Sequence, residues 1–356
     1  MRDSNHQLLL NKKLPELVTL ERLIKAFGDK ARVTTEAVVR HGDIDFPIYS
    51  LVIGSEDKRA PTLGLFGGVH GLERIGSEVL ISWLQTISEV INWDETFQKR
   101  LEQSRLVFMP IVNPVGMYLR RRSNGNHVDL MRNAPVDADE KPAFLLGGHN
   151  FSKVLPWYRG NVENAETVET ETKAIAALVE REIFPSSLSM TVDVHSGFGS
   201  VDRFWFPYAR TAKPPPHLCE ITALKRLFDR SYPNHFYQIE PQAVQYTTHG
   251  DVWDWLYDRK LATAGDKKAG GPYLPWTLEL GSWLWLKKNP RALFSPLGAF
   301  HPMQPHRLQR ILRRHLTLFD FLHRALLSPE PWLELDEESR DQLRRRAMDL
   351  WYEPKA

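Results

Sequence analysis

Apolar and polar positions along this chain alternate between two periods. LPELVTLERLIKAFG (14–28) repeats its apolar residues every three or four positions and stops at Gly28, which predicts an early helix. The same period marks ERIGSEVLISWLQTISEVI (73–91), AETVETETKAIAALVEREIF (165–184), HLCEITALKRLFDRS (217–231), DVWDWLYDR (251–259) and HRLQRILRRHLTLFDFLHRAL (306–326) as helices. Between them lie strand-like runs: VTTEAVVRHG (33–42), FPIYSLVIG (46–54), PTLGLFGG (61–68), LSMTVDVHSG (188–197) and YLPWTLELGS (273–282). SRLVFMPIVNPVG (104–116) is nearly continuous in apolar character until Asn113 and Pro114, as expected of a strand buried on both faces. Residues 133–165, rich in Pro, Gly and Asn, predict a long loop of the kind that is usually functional or disordered. Strand and helix signals alternate from about residue 32 to 326 with no Ser/Gly/Pro linker and no internal repeat, the pattern of a layered α/β fold.

Composition narrows the partners. The 356 residues carry 46 Lys and Arg against 44 Asp and Glu, a net +2, without the basic excess that nucleic-acid binding calls for. YLRRRSN and LQRILRRH are basic but short, and the second reads as a solvated helix face. The single cysteine, Cys219, excludes an intrachain disulfide and a cysteine-rich zinc site, and fits a reducing compartment. LLL near the N-terminus is too short for a signal-peptide core, and no run approaches the roughly 20 apolar residues of a membrane span. A cytoplasmic protein without nucleic-acid or membrane partners is expected; the oligomeric state is left open.

Chemistry gathers where strands stop. His70 and Glu73 follow TLGLFGG, and His195 follows MTVDV. Side chains just past the carboxyl ends of strands line the ligand crevice of open α/β sheets. Two imidazoles and a carboxylate with an open fourth position make a catalytic zinc site. One short turn can point both His70 and Glu73 inward, with the third ligand coming from a distant strand. By itself His-x-x-Glu is equally the spacing of a solvated helix. Glu279, inside the apolar WTLELGSW, needs either a salt-bridge partner or a tuned environment, and is the candidate base for an attacking water. RRRSNGNHVDLMRN supplies arginines that suit a carboxylate or a developing oxyanion, or simply a basic surface loop. Neither GGVHG nor LLGGHN is a dinucleotide fingerprint, and Ser196 lacks a nucleophile-elbow pattern. The eleven tryptophans read mostly as core or rim, with some available to stack on substrate.

In order, HGLE, NPVG with RSNGNHVDLMRN, DVHS, QYTTHGDVWDW and TLEL resemble the zinc carboxypeptidase family over about residues 45–325. The resemblance implies a mixed, mostly parallel central sheet with helices on both faces, and one zinc ion per chain. It makes His70, Glu73 and His195 the metal ligands, and Glu279 the general base. Arg122 resembles the oxyanion-stabilising arginine, with Arg120 and Arg121 as alternatives because the run blurs the register. Arg132 resembles the clamp on the substrate's terminal carboxylate, Asp129 the carboxylate behind His70, and Tyr246 the mobile tyrosine, supported by the spacing to Asp254 and Trp255. The implied organisation is an N-terminal helix and first-strand region (1–44), a catalytic domain (45–326), and a charged C-terminal segment docked as a helix (327–356).

Two positions depart from the family. Met131 stands where an asparagine usually precedes the clamp arginine, so an amide donor is missing unless Asn133 takes its place. Trp253 falls where a smaller residue often lines the side-chain pocket, and is expected to narrow it. The expected activity is zinc-dependent hydrolysis of a C-terminal amide bond by water activated at the metal, on a peptide or acylated amino acid with a free carboxylate. The alternatives are an N-acyl-amino-acid deacylase (HGLERIG is reminiscent of the aspartoacylase and succinylglutamate desuccinylase group), a murein-peptide amidase, and a non-catalytic binding protein on the same fold.

Overall fold

In a computed structural model, residues 4–263, 270–288, 295, 297–302 and 304–353 are described. The strands are β1 (Arg32–His41), β2 (Ile44–Gly54), β3 (Thr62–Gly67), β4 (Arg105–Met109), β5 (Ser189–Ser196), β6 (Arg203–Phe206), β7 (Gln238–Pro241) and β8 (Tyr273–Leu280). They form one sheet in the order β1-β2-β4-β3-β5-β8-β6-β7. The inner run β4-β3-β5-β8 is parallel, and β1, β2 and the β6–β7 pair join it through antiparallel contacts.

The helices are α1 (Ser4–Lys13), α2 (Pro15–Phe27), α3 (Arg74–Val90), α4 (Glu95–Glu102), α5 (Pro114–Leu119), α6 (Thr170–Leu178), α7 (Leu218–Ser231), α8 (Val252–Leu261), α9 (Trp283–Lys288), α10 (Pro305–Arg314), α11 (Leu316–Leu327) and α12 (Glu337–Ala347). Their buried faces divide into two apolar cores. One holds residues of α2, α3, α7 and α11, and the other holds residues of α6 and α8. β3, β4, β5 and β8 are buried at every position, including the polar Arg105, Thr191, Asp193 and Glu279 that they carry among their apolar residues. None of the described helices is long and apolar enough to cross a membrane.

The structure amends the sequence reading in three places. β6 and β7 were not predicted: each is four residues long, and QIEP has no clear period. The predicted helix over 306–326 is two helices that meet at His315, whose buried ring bonds the Tyr237 hydroxyl at 2.8 Å. α6 passes into a π turn at Val179–Ile183. There Glu182, fully buried, receives Arg105, Arg32 and Arg181 and ties β4 and β1 to the helix end. In the C-terminal segment, α12 rests on α7 through Leu343 and Ala347, and Trp332 is buried with its Nε1 donating to the Ala325 carbonyl at 3.0 Å.

Two glycines fix the junction that matters for chemistry. Gly68 ends β3 at φ 68°, a left-handed turn that throws the chain back toward the sheet. Gly76, in the first turn of α3, lies so close to β5 that an added Cβ would stand 2.2 Å from the Val194 carbonyl oxygen. Glu73 precedes this contact on one element and His195 follows it on the other. Gly76→Ala is therefore expected to lower the unfolding free energy by ~1–3 kcal/mol through overpacking. It should also weaken metal binding, because the helix must shift away from β5. Urea unfolding and a zinc titration check both, and wild-type values in both would show that the contact sets nothing.

Candidate functional site

The site lies at the carboxyl ends of β3, β5 and β8. After Gly68 the chain makes one turn, closed by the Glu73 amide donating to the His70 carbonyl at 3.0 Å, and α3 begins. That turn carries His70 and Glu73. Asn113 braces it: its Nδ2 donates to the Val69 carbonyl at 3.1 Å while its Oδ1 caps α5 at Gly116 N. The NPVG motif is thus a structural clip. A further bond, from Gly71 N to the Arg122 carbonyl at 3.2 Å, ties the arginine segment to the same turn. His195 stands near the end of β5, and the parallel register pairs it with Glu279 on β8.

His70, Glu73 and His195 converge, each offering one ligand atom, with all these atoms within 4.8 Å of one another. Both imidazoles turn Nδ1 inward. His70 Nδ1 lies 2.8 Å from Glu73 Oε1, His195 Nδ1 lies 2.9 Å from Glu73 Oε2, and the two Nδ1 atoms are 3.2 Å apart. Both turn Nε2 outward onto a carboxylate, His70 to Asp129 at 3.0 Å and His195 to Asp193 at 2.7 Å. This is the arrangement that orients metal-ligating histidines and raises their basicity. Two inward nitrogens, one carboxylate and held outer nitrogens fit a zinc ion.

Electrostatics follows from the burial. Burial pushes the Glu73 carboxyl up, but His70 and His195 outweigh it and hold it well below the usual range. Asp129, opposed by burial, is held low by Arg122 and His70. Glu279 goes the other way: burial, then the charge of Glu73, push it up to about 8. It has no ion pair among the described residues; its Oε1 accepts from Phe198 N at 2.9 Å. β8 lies between β5 and β6, so the alternative of a salt-bridged edge residue fails.

A cavity of about 510 Å³ opens over the cluster, and His70, Glu73, Arg122, Met131, Arg132, His195, Tyr246 and Glu279 all reach its wall. Arg122 donates from Nε to Asp129 at 2.7 Å and from Nη1 to Glu73 at 3.2 Å. Arg120 and Arg121 do not line this space. Arg132 engages three N–H groups on the carbonyls of Leu146 and Met131. One N–H on each terminal nitrogen is left, the fork that suits a carboxylate. Burial and the charge of Glu279 raise the Tyr246 phenol, while Arg132 and Arg122 oppose the shift.

Two sequence expectations are corrected. Asn133 is buried away from the cavity: its Oδ1 accepts from Glu169 N and Thr172 Oγ1, and its Nδ2 donates to the Arg159 carbonyl. It has no donor to lend in place of Met131. Trp253 lines no part of the cavity either. It packs edge-on against Phe66 and donates from Nε1 to Asp193 at 3.0 Å, supporting the carboxylate behind His195. Sequence reasoning missed Asp193 itself, although the D-V-H spacing puts both side chains on one face of β5. Trp157, Trp205 and Trp283 also reach the cavity, whereas Trp276 stacks on Phe204 in the core.

The sequence pattern of the zinc carboxypeptidase family matches residues 44–272. Carboxypeptidase SOL1 of Arabidopsis thaliana is 34% identical over 93 residues, 25% of this chain and 19% of that protein. Carboxypeptidase E of Caenorhabditis elegans is 26% identical over 168 residues, 43% of this chain and 33% of that protein. The alignments thus span a third or less of these relatives' length. Among solved structures, bovine thrombin-activatable fibrinolysis inhibitor in complex with tick carboxypeptidase inhibitor superposes with a TM-score of 0.61 at 17% identity, over 87% of this chain and 95% of that one, a likeness of fold.

The geometry predicts one zinc per chain, measurable by elemental analysis. His195→Ala is expected to remove most of the affinity. Asp193→Asn, which leaves the ligands in place, is expected to weaken it by about 10- to 100-fold. Undiminished affinity in Asp193→Asn would separate that carboxylate from the metal.

Proposed function

This chain belongs to the zinc carboxypeptidase family, and on that footing we propose that it is a metallocarboxypeptidase, releasing a C-terminal residue from a peptide. The observation that carries the reading is the pairing of a His70–Glu73–His195 metal cluster with Glu279 one strand away on the same cavity. Bound in that cluster, zinc supplies Lewis acidity to water and to the scissile carbonyl. The chain's own groups do the rest. Glu279 takes a proton from the attacking water and passes it to the leaving amine. Its burial supports this, because a base with a pKa near the working pH both accepts and returns a proton. Arg122, held by Asp129 and Glu73, donates toward the developing oxyanion. Arg132 receives the terminal carboxylate on its two remaining N–H groups, with Tyr246 beside it.

Among the described residues, Glu73 and Glu279 are the only carboxylates on the cavity wall. Trp205, Gln242 and Thr277 line one part of it, a setting for a neutral or aromatic side chain rather than a cationic one. Met131 on the wall favours a second reading, in which the substrate end is not an ordinary α-carboxylate.

Three measurements test the reading. Glu279→Gln should keep the fold and the zinc and lose turnover by orders of magnitude; near wild-type turnover removes Glu279 from the mechanism. kcat/KM should fall as pH drops through the Glu279 titration, because the base works ionised. A bound cation pulls that titration down from about 8, so the midpoint is expected between 4.5 and about 8. Free-acid peptides should exceed their amidated counterparts by about 30- to 150-fold, the worth of a charge-assisted contact. Equal values for the pair would favour an endo-acting amidase or an acyl-amino-acid deacylase.

A further inference from the structure

A second cavity, of about 360 Å³, adjoins the first. The two share Leu72, Arg122, Pro156 and Trp157 as common wall. The second is lined further by Arg120, Arg121, His127 and Lys153. Its single acid, Asp129, is already engaged by His70 and Arg122. Arg120 and Lys153 are exposed, and neither makes an ion pair among the described residues. Arg121 is held but not neutralised: it donates to the carbonyls of Asn124 and Gly125 and to His127 Nε2, and it makes no ion pair among the described residues. Three cations thus line one space, and none of them is paired with a carboxylate among the described residues.

The backbone around this space is also unusual. Arg120, His127 and Trp157 have φ of 53°, 68° and 65°, three of the four non-glycine residues with positive φ among the described residues. Such conformations persist where the surroundings impose them, and they cluster at functional sites.

The position relative to the first cavity decides what the space receives. Arg132, Tyr246 and Thr277 line only the first cavity. With the terminal carboxylate at Arg132 and the scissile carbonyl beside Arg122, the peptide leaves past Arg122 and Trp157 into the second space. It arrives there with the residues on the N-terminal side of the cleaved bond. We infer that this space is a subsite for acidic side chains, so that the preferred substrates are peptides bearing Asp or Glu just upstream of the scissile bond. The inference rests on the carboxypeptidase reading and adds a selectivity from the side away from the released residue.

The test uses the zinc-loaded full chain and peptides with one common C-terminal pair, preceded by Glu-Glu, Gln-Gln or Lys-Lys. kcat/KM should run Glu over Gln over Lys, with a Glu-to-Gln ratio of about 3- to 30-fold, the worth of two solvent-screened ion pairs. Raising salt from about 0.1 to about 1 M, which shortens the Debye length from about 10 to about 3 Å, should narrow the ratio. Lys153→Glu combined with Arg120→Asp (aspartate tolerates the left-handed backbone there) should reverse the order. As a readout independent of turnover, Glu279→Gln should bind the Glu-Glu peptide more tightly than the Gln-Gln peptide by a similar factor. Cleavage of all three peptides at equal rates overturns the acidic subsite and leaves the peptidase intact. A charge-reversed variant with the wild-type order overturns the assignment to these residues. Cleavage of none of the peptides overturns both readings together.

Discussion

The site depends on two hydrogen bonds that lie outside it. His70 and His195 could each present either ring nitrogen, and the carboxylates of Asp129 and Asp193 decide which by holding Nε2. With those nitrogens taken, Nδ1 of each ring faces Glu73. These carboxylates have further tasks. Asp129 also receives Arg122 and the Met131 amide, so the His70 ring and the Arg122 guanidinium share one anchor. Asp193 also receives Trp253, which fixes a group of β5 to a helix across the second core. The burial that makes these bonds strong also pushes the Glu279 carboxyl up, with the charge of Glu73 adding to it.

Much of this was readable in the chain. The residues that converge follow β3 or stand near the ends of β5 and β8, where side chains face the crevice of an open sheet. The metal cluster followed from that rule and from family resemblance. What was not readable depended on depth. Spacing placed Trp253 on a helix after Tyr246 but could not tell which of its neighbours would cover it. Asn133, adjacent to Arg132 in sequence, turns toward α6 because the short 3-10 turn at Leu130–Arg132 rotates consecutive side chains apart. The arginine run was ambiguous for a related reason: Arg120 takes a left-handed conformation where α5 ends, which spacing alone does not reveal.

The long loop from 133 to 165 was recognisable by composition, and its order by nothing in the sequence. In the fold it is pinned from beneath. Arg159 reaches the Arg132 and Val136 carbonyls and Asp137, and Arg132 reaches back to the Leu146 carbonyl. Arg132 therefore serves the loop with two N–H groups, the Met131 carbonyl with a third, and the cavity with the remainder.

Pro156 and Trp157, near the end of that loop, form wall for both cavities. One displacement of this partition widens one chamber as it narrows the other. The two ends of a bound peptide would then not be judged separately: what occupies one side alters the room left for the other. Free-energy increments measured for changes at the two ends should depart from additivity, with Trp157 as the residue through which they are coupled.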